Sequence, residues 1–176
     1  MNGMKKILFI LGTARRERLS EKAANFVLEV ARTRGDLEPV FLDVKDYSQS
    51  YTGGLDPKLA QKYNQLITEA AGIVIISPEY NHSFPGELKL LLDSAYQAYA
   101  GKTAAICSVS SGPLGGARMA EQLKLVLSAF QLTIINAAVY FANVKEIFPQ
   151  SGEVADRDLW SEKINGMLDE VLKYAR

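Results

Sequence analysis

A chain of 176 residues, 48% apolar and 23% charged, holds enough apolar material for one domain with its own core and excludes a disordered polymer. Twenty basic residues balance twenty acidic ones, which argues against a dedicated nucleic-acid binder and against the strong negative field of an acidic electron shuttle. A single cysteine, Cys107, and a single histidine, His82, allow no internal disulfide, no Cys-rich metal site and no histidine cluster, so no bound metal is expected. The start, Met1 to Lys6, leads into an apolar run of five residues, short for a signal peptide. No apolar run approaches the ~20 residues of a membrane span. The expectation is a cytoplasmic protein that meets neither membrane nor nucleic acid.

In chain order, strands and helices alternate. Ile7 to Leu11 is an uninterrupted apolar run, short and β-rich enough for a buried strand. Ala23, Phe26, Val27, Val30 and Ala31 then recur at helical spacing, with Ser20 read as the N-cap. Pro39 to Val44 reads as a second strand, and Tyr47 to Asp56 as a loop. Asp56-Pro57 looks like a cap followed by a first-turn proline, ahead of the helical face Leu59, Tyr63, Leu66, Ile67 and Ala70. Ile73 to Ser77 is a third strand. Pro85 opens a helix with apolar positions from Leu88 to Tyr99. Thr103 to Val109 is a fourth strand, followed by a helix striped by Met119, Leu123, Val126, Leu127 and Phe130. Leu132 to Phe141 supplies a fifth strand, and Trp160 to Leu172 stripes the last helix. Five strands separated by helices imply one α/β domain over residues 1–176, a parallel sheet with helices on both faces.

Ligands of such sheets sit at the carboxyl ends of the strands, beside the point where strand order reverses. Three loops leave carboxyl ends there: Gly12 to Leu19, Pro78 to Phe84, and Ser110 to Gly116. The first 34 residues carry eight basic and three acidic side chains, a local excess of five positive charges in a neutral protein. Arg15, Arg16, Arg18, Thr13 and Ser20 before a helix N-terminus suit a phosphate, against the plainer reading of a solvated basic turn. The loop is neither a P-loop nor the dinucleotide fingerprint, for want of the glycines. Gly101-Lys102-Thr103 precedes a strand and lacks its upstream glycine. The second loop is polar, aromatic and held stiff by two prolines, suited to the edge of a flat heterocycle. The third is glycine-rich and opens a helix, so it presents N–H groups or is an ordinary turn.

These three loops carry a resemblance. Pro78-Glu79-Tyr80-Asn81, Ser83, Pro85-Gly86 and Leu88-Lys89 stand in the order found in the NAD(P)H-dependent FMN reductases, a flavodoxin-like group that includes chromate, quinone and azo-dye reductases. Gly12, Thr13, Arg15 and Ser20 look like that family's phosphate loop. Ser110, Gly112, Gly115, Gly116 and Arg118 look like its third element. The likeness covers roughly residues 5 to 145. The chain departs from the pattern at Leu90 and at Asp93-Ser94, where the family has an asparagine and an aspartate–tryptophan pair.

The resemblance implies a flavodoxin-like three-layer sandwich with strand order 2-1-3-4-5. It implies FMN, with its phosphate held by Thr13, Arg15, Ser20 and the neighbouring Glu21 and Lys22. The ring would lie against Pro78, Glu79, Tyr80, Asn81 and His82 on one loop and Ser110, Ser111, Gly112 and Gly115 on another. It implies NAD(P)H as co-substrate and a small-molecule electron acceptor such as a quinone, azo compound, flavin or oxidised metal ion. A homodimer or homotetramer is implied too, with the Leu88 to Tyr99 helix as candidate interface. No side chain is nominated as acid, base or nucleophile, because a flavin carries the chemistry itself. The alternative is a non-enzymatic FMN-binding electron carrier. Beside these, Cys107 reads as a buried apolar filler. His82 is a proton donor or a plain surface residue. Glu79 and Lys89 form an ion pair or stay separately solvated. Asp43, closing the second strand, is a weak candidate for holding a ribose.

Overall fold

The computed structural model describes residues 3–47, 49–50 and 54–175. Strand β1 (Lys5–Leu11) leads to helix α1 (Leu19–Arg32) and strand β2 (Leu37–Asp43). A small antiparallel pair follows, β3 (Gln49–Ser50) with β4 (Gly54–Leu55), inside the stretch expected to be loop. Then come α2 (Pro57–Glu69), β5 (Gly72–Pro78), α3 (Gly86–Asp93), β6 (Thr103–Val109) and α4 (Ala117–Ala129). The chain ends with β7 (Thr133–Ile134), β8 (Val139–Phe141), the single turn α5 (Val144–Ile147) and α6 (Arg157–Tyr174).

The main sheet runs β2-β1-β5-β6, with β7 and β8 both on the free edge of β6, and every pairing in it is parallel. That is the expected order 2-1-3-4-5, with one difference. The fifth strand is two pieces, because Thr133 pairs with Thr103 but Val139 pairs with Cys107. The register slips by two residues across Ile135–Ala138, a bulge that bends the edge strand beside the third loop.

Alternation along the strands divides the core between two faces. Ile7, Phe9 and Leu11 pack with α1 and α6 through Phe26, Val27, Ile164 and Leu168. Leu8 and Ile10 pack with α2, α3 and α4 through Ile67, Leu88, Leu91 and Leu123. Cys107 lies fully buried, its thiol 3.4 Å from the Met167 sulfur and pushed far above its ordinary pKa by burial. It is the apolar filler expected.

Two helix boundaries correct the sequence reading. Ser20 does not cap α1: Arg18 occupies the cap position, and Ser20 sits inside the first turn. The helix opened by Pro85 stops at Asp93, where the Ser94 hydroxyl donates back to Leu90 O at 2.9 Å, and a separate 3₁₀ turn holds Gln97–Tyr99. Tyr99 and Leu91 are consequently core residues, Tyr99 stacked on Phe130, and only Tyr96 of the candidate interface aromatics is exposed. The Asp56 cap is as expected, its carboxylate accepting from the Lys58 and Leu59 amides.

Candidate functional site

The strand order reverses between β1 and β5, and the three loops leaving β1, β5 and β6 meet there around one cleft of about 490 Å³. Its wall takes in Arg15 to Ser20 from the first loop, Pro78 to Tyr80 from the second and Val109 to Gly112 from the third. Val144 and Lys145, from the turn after β8, complete it. The volume is that of a site for a drug-sized or cofactor-sized molecule.

The first loop is anchored from beneath. Arg18, 7% exposed, donates bidentately to Asp43 at the end of β2 and also to the carbonyl of Thr13. Burial alone would raise the Asp43 carboxyl, but hydrogen bonds from Arg18 and Lys45 hold it below the usual carboxylate range. Asp43 is therefore committed to an internal ion pair, which overturns the ribose reading. Thr13 is fully buried; its hydroxyl lies 2.9 Å from the Tyr80 phenol and donates to Glu87 at 3.0 Å. Above these anchors Arg15 and Arg16 are exposed in the cleft wall, the Arg15 guanidinium 6.0 Å from the centre of the Tyr80 ring.

Ser20 differs from its neighbours. It is 2% exposed, faces the cleft from the first turn of α1, and its hydroxyl has no hydrogen-bond partner among the described residues. An orphaned hydroxyl costs free energy unless something arrives to pair it. It stands where α1 directs its amide groups and the positive end of its dipole. That is the donor set of a phosphate site, and it fits the FMN phosphate.

In the second loop, Tyr80 and Ser83 exchange both backbone hydrogen bonds, at 2.8 and 3.0 Å. The residues between them, Asn81 and His82, have φ of 49° and 68°. Two positive φ values in a two-residue turn are the type I′ geometry, which asparagine and histidine tolerate better than most side chains. The turn projects Asn81 and His82 outward at the rim, and Arg118 approaches His82 Nε2 at 3.0 Å. Glu79 turns inward and accepts from the Met119 amide at 3.3 Å, in the first turn of α4. Lys89 pairs instead with Asp93, so the Glu79–Lys89 ion pair is not formed.

The third loop is knitted to β8 and α5. The Ser110 amide donates to Phe141 O, and the Val144 amide returns to Ser110 O. Its last two residues, Gly115 and Gly116, have φ of 60° and 86° and leave no room for a side chain: a Cβ would meet Tyr140 and Ser108 at 2.9 Å. These glycines let the loop turn into α4 against the sheet.

Of the residues expected at the site, the fold brings together Arg15, Ser20, Pro78, Glu79, Tyr80, Ser110, Ser111 and Gly112 in one wall. Thr13 and Gly115 lie behind it as supports. Asn81 and His82 stand at the rim. Glu21 pairs with Arg18 on the exposed side of α1, outside the lining. Lys22 points away, its amine donating to the carbonyls of Phe148 and Pro149 in a second, smaller cavity of about 260 Å³. Lys22 follows the cleft residue Ser20 by two positions, which carries it about 200° round the helix. Sequence reasoning missed Lys145, which enters the lining from the turn after β8.

The family described as NADPH-dependent FMN reductase matches residues 5–146. The chain is similar to a 2-hydroxy-1,4-benzoquinone reductase of Burkholderia sp, 29% identical over 162 residues and 87% of either chain. A quinone reductase of Escherichia coli (strain K12) is 35% identical over 107 residues, 57% of either chain. A flavoenzyme NAD(P)H:(acceptor) oxidoreductase from Paracoccus denitrificans shares the fold at a TM-score of 0.83 and 22% identity, covering 98% of this chain and 100% of that one. With its motif loops around one cleft and the match over most of its length, the chain belongs to the NADPH-dependent FMN reductase family.

Proposed function

We propose that the cleft binds FMN and that the protein passes electrons from NAD(P)H through it to a small organic acceptor, a quinone foremost. The observation that carries this reading is the buried, unpartnered Ser20 hydroxyl in a cleft wall shared with Arg15 and Arg16. When bound, FMN supplies a two-electron centre that accepts a hydride from the nicotinamide and later gives the electrons up. The residues of the chain bind and orient. Ser20, the first-turn amides of α1 and the Arg15 and Arg16 side chains hold the phosphate. Pro78 to Tyr80 and Ser110 to Gly112 flank the ring, with Asn81 and His82 at its outer edge. Gly115 shapes the third loop from behind. No side chain is asked to act as acid or base, since solvent reaches the open mouth and can supply protons.

The names of the relatives support a quinone over an azo compound, a free flavin or a metal ion as acceptor. Among the described residues no helix is long and apolar enough to cross a membrane, and a cytoplasmic location is proposed with the rest. Family membership likewise supports a homodimer or homotetramer, which light scattering tests. The deciding experiment is the visible spectrum of the purified protein, joined to NAD(P)H consumption with and without benzoquinone. A flavin spectrum with acceptor-dependent turnover supports the enzyme. A flavin spectrum without turnover favours the electron carrier, and no flavin uptake at all removes both.

A further inference from the structure

The hydrogen bonds around Thr13 join three separate parts of the chain. Glu87, in the first turn of α3, accepts through Oε1 from the Thr13 hydroxyl at 3.0 Å and from the Ala14 amide at 2.9 Å. A hydroxyl has one proton to give. With that proton directed at Glu87, the Tyr80 phenol 2.9 Å away is the donor to Thr13 Oγ1, and the Arg15 amide donates to the same oxygen at 3.3 Å. The chain from Tyr80 through Thr13 to Glu87 thus has one direction. It leaves Thr13 no proton for a ligand.

We infer that Glu87 is a positioning residue: through Thr13, Ala14 and Tyr80 it clasps the anion loop to α3 and to the Tyr80–Ser83 hairpin. The inference rests on the FMN reading above and deepens it. Ala14 to Glu17 are all exposed, so an untethered loop would have to be ordered whenever a phosphate bound. The clasp does that ordering beforehand. It also changes the role of Thr13 from phosphate ligand to support, leaving Ser20 as the hydroxyl that meets the phosphate. Holding the loop with a carboxylate sets a negative charge near an anion site, so charge and hydrogen bonding make opposite demands on this position. That opposition makes the inference testable.

The experiment compares Glu87→Ala, Glu87→Gln, Thr13→Val and the Glu87→Ala/Thr13→Val double variant, each titrated as apoprotein with FMN and with riboflavin by flavin fluorescence. Without ligand, amide hydrogen exchange is followed at Ala14 and Arg15. Glu87→Ala should weaken FMN about three- to tenfold through lost pre-organisation, and riboflavin by less than about twofold. Glu87→Gln keeps an acceptor oxygen and should stay within about twofold of wild type for FMN, while the double variant should be little worse than the poorer single one, since both cut the same chain. Exchange at Ala14 should quicken in Glu87→Ala but not in Glu87→Gln, with α6 unchanged in both. Tighter FMN binding in both Glu87 variants would mean that the carboxylate only repels, and would overturn the clasp. Unchanged exchange at Ala14 in Glu87→Ala would overturn it equally. Wild type that takes up no FMN would instead overturn the reading beneath it, and the ligand-free exchange result then decides the clasp alone.

Discussion

Ser20 separates binding from folding at a single atom. Its hydroxyl is buried and without a partner among the described residues, so removing it takes away a liability in the fold while deleting a donor to the ligand. Ser20→Ala should therefore keep or raise apoprotein stability, by about 1 kcal/mol at most, and weaken FMN roughly tenfold. Urea unfolding and fluorescence titration check the two halves, and a loss of stability together with unchanged affinity would remove Ser20 from the phosphate site. Arg15 makes the complementary case, since its guanidinium faces the cleft with no carboxylate partner among the described residues. A charge-assisted hydrogen bond contributes about 1.5–3 kcal/mol, so Arg15→Ala should weaken FMN by roughly 10- to 150-fold. Riboflavin lacks the phosphate and should barely respond. Arg15→Lys should recover part of the loss, because it keeps the charge but not the planar fork. Equal losses for both flavins would point to damage of the loop instead. The sequence showed both residues because a hydroxyl and a cationic side chain before a helix are a local signal. It could not show that Arg18, identical in type to Arg15, is buried against Asp43, because that depends on the end of β2 lying beside the start of β1's loop.

At the scale of elements, the Arg18–Asp43 pair ties the start of α1 to the end of β2 and so sets the floor of the cleft. Hydrogen bonds from Arg18 and Lys45 outweigh burial and depress the folded-state pKa of Asp43. A depressed carboxyl contributes stability that is present above its unfolded value near ~4 and is lost as pH falls through the folded one. Wild-type stability should accordingly decline below about pH 4, and Asp43→Asn should lack that part of the decline. At neutral pH the same variant removes the buried counter-charge and leaves the guanidinium only the half-exposed Glu21 at 3.5 Å, at a cost of up to about 3 kcal/mol. Urea titrations of both proteins at pH 7, 4 and 3 test this, and a variant as stable as wild type at pH 7 would show the pair to be dispensable. The elements that were legible are those with an unbroken local pattern: the apolar runs of β1, β5 and β6, and the long stripe of α6. Those misjudged turn on distant partners. Leu132 to Phe141 reads as one strand because strong strand formers, Leu132 to Ile135 and Val139 to Phe141, flank only three weak ones, yet its register to β6 slips across those three. The helix from Pro85 was extended to Tyr99 because Tyr96 and Tyr99 keep the apolar spacing. The chain actually breaks at Ser94, where the Asn64 side chain takes the free carbonyl at 3.1 Å.

For the molecule as a whole, alternation of strand and helix was enough to indicate a parallel sheet, the resemblance implied its order, and the observed order places the reversal point at the three motif loops. The cleft is lined by the last residues of β5 and β6, Pro78 and Val109, and by the loops that follow β1, β5 and β6, with Asn81 and His82 exposed on the hairpin beside it. A flavin held by Arg15 to Ser20 at one end and by Pro78–Tyr80 and Ser110–Gly112 at the other would offer both substrates the one cleft. NAD(P)H and the acceptor must then take turns against the same face, each leaving before the other enters. Such alternation predicts parallel lines when reciprocal rate is plotted against reciprocal NAD(P)H at several quinone concentrations, the ping-pong pattern. It also predicts that each substrate, in excess, inhibits competitively against the other by occupying the wrong form of the enzyme. Steady-state rates over a two-dimensional grid of both substrates provide the check. Intersecting lines would mean that donor and acceptor are bound at once. In that case the two substrates would approach the ring by separate routes, and the single shared cleft would be the wrong picture of the site.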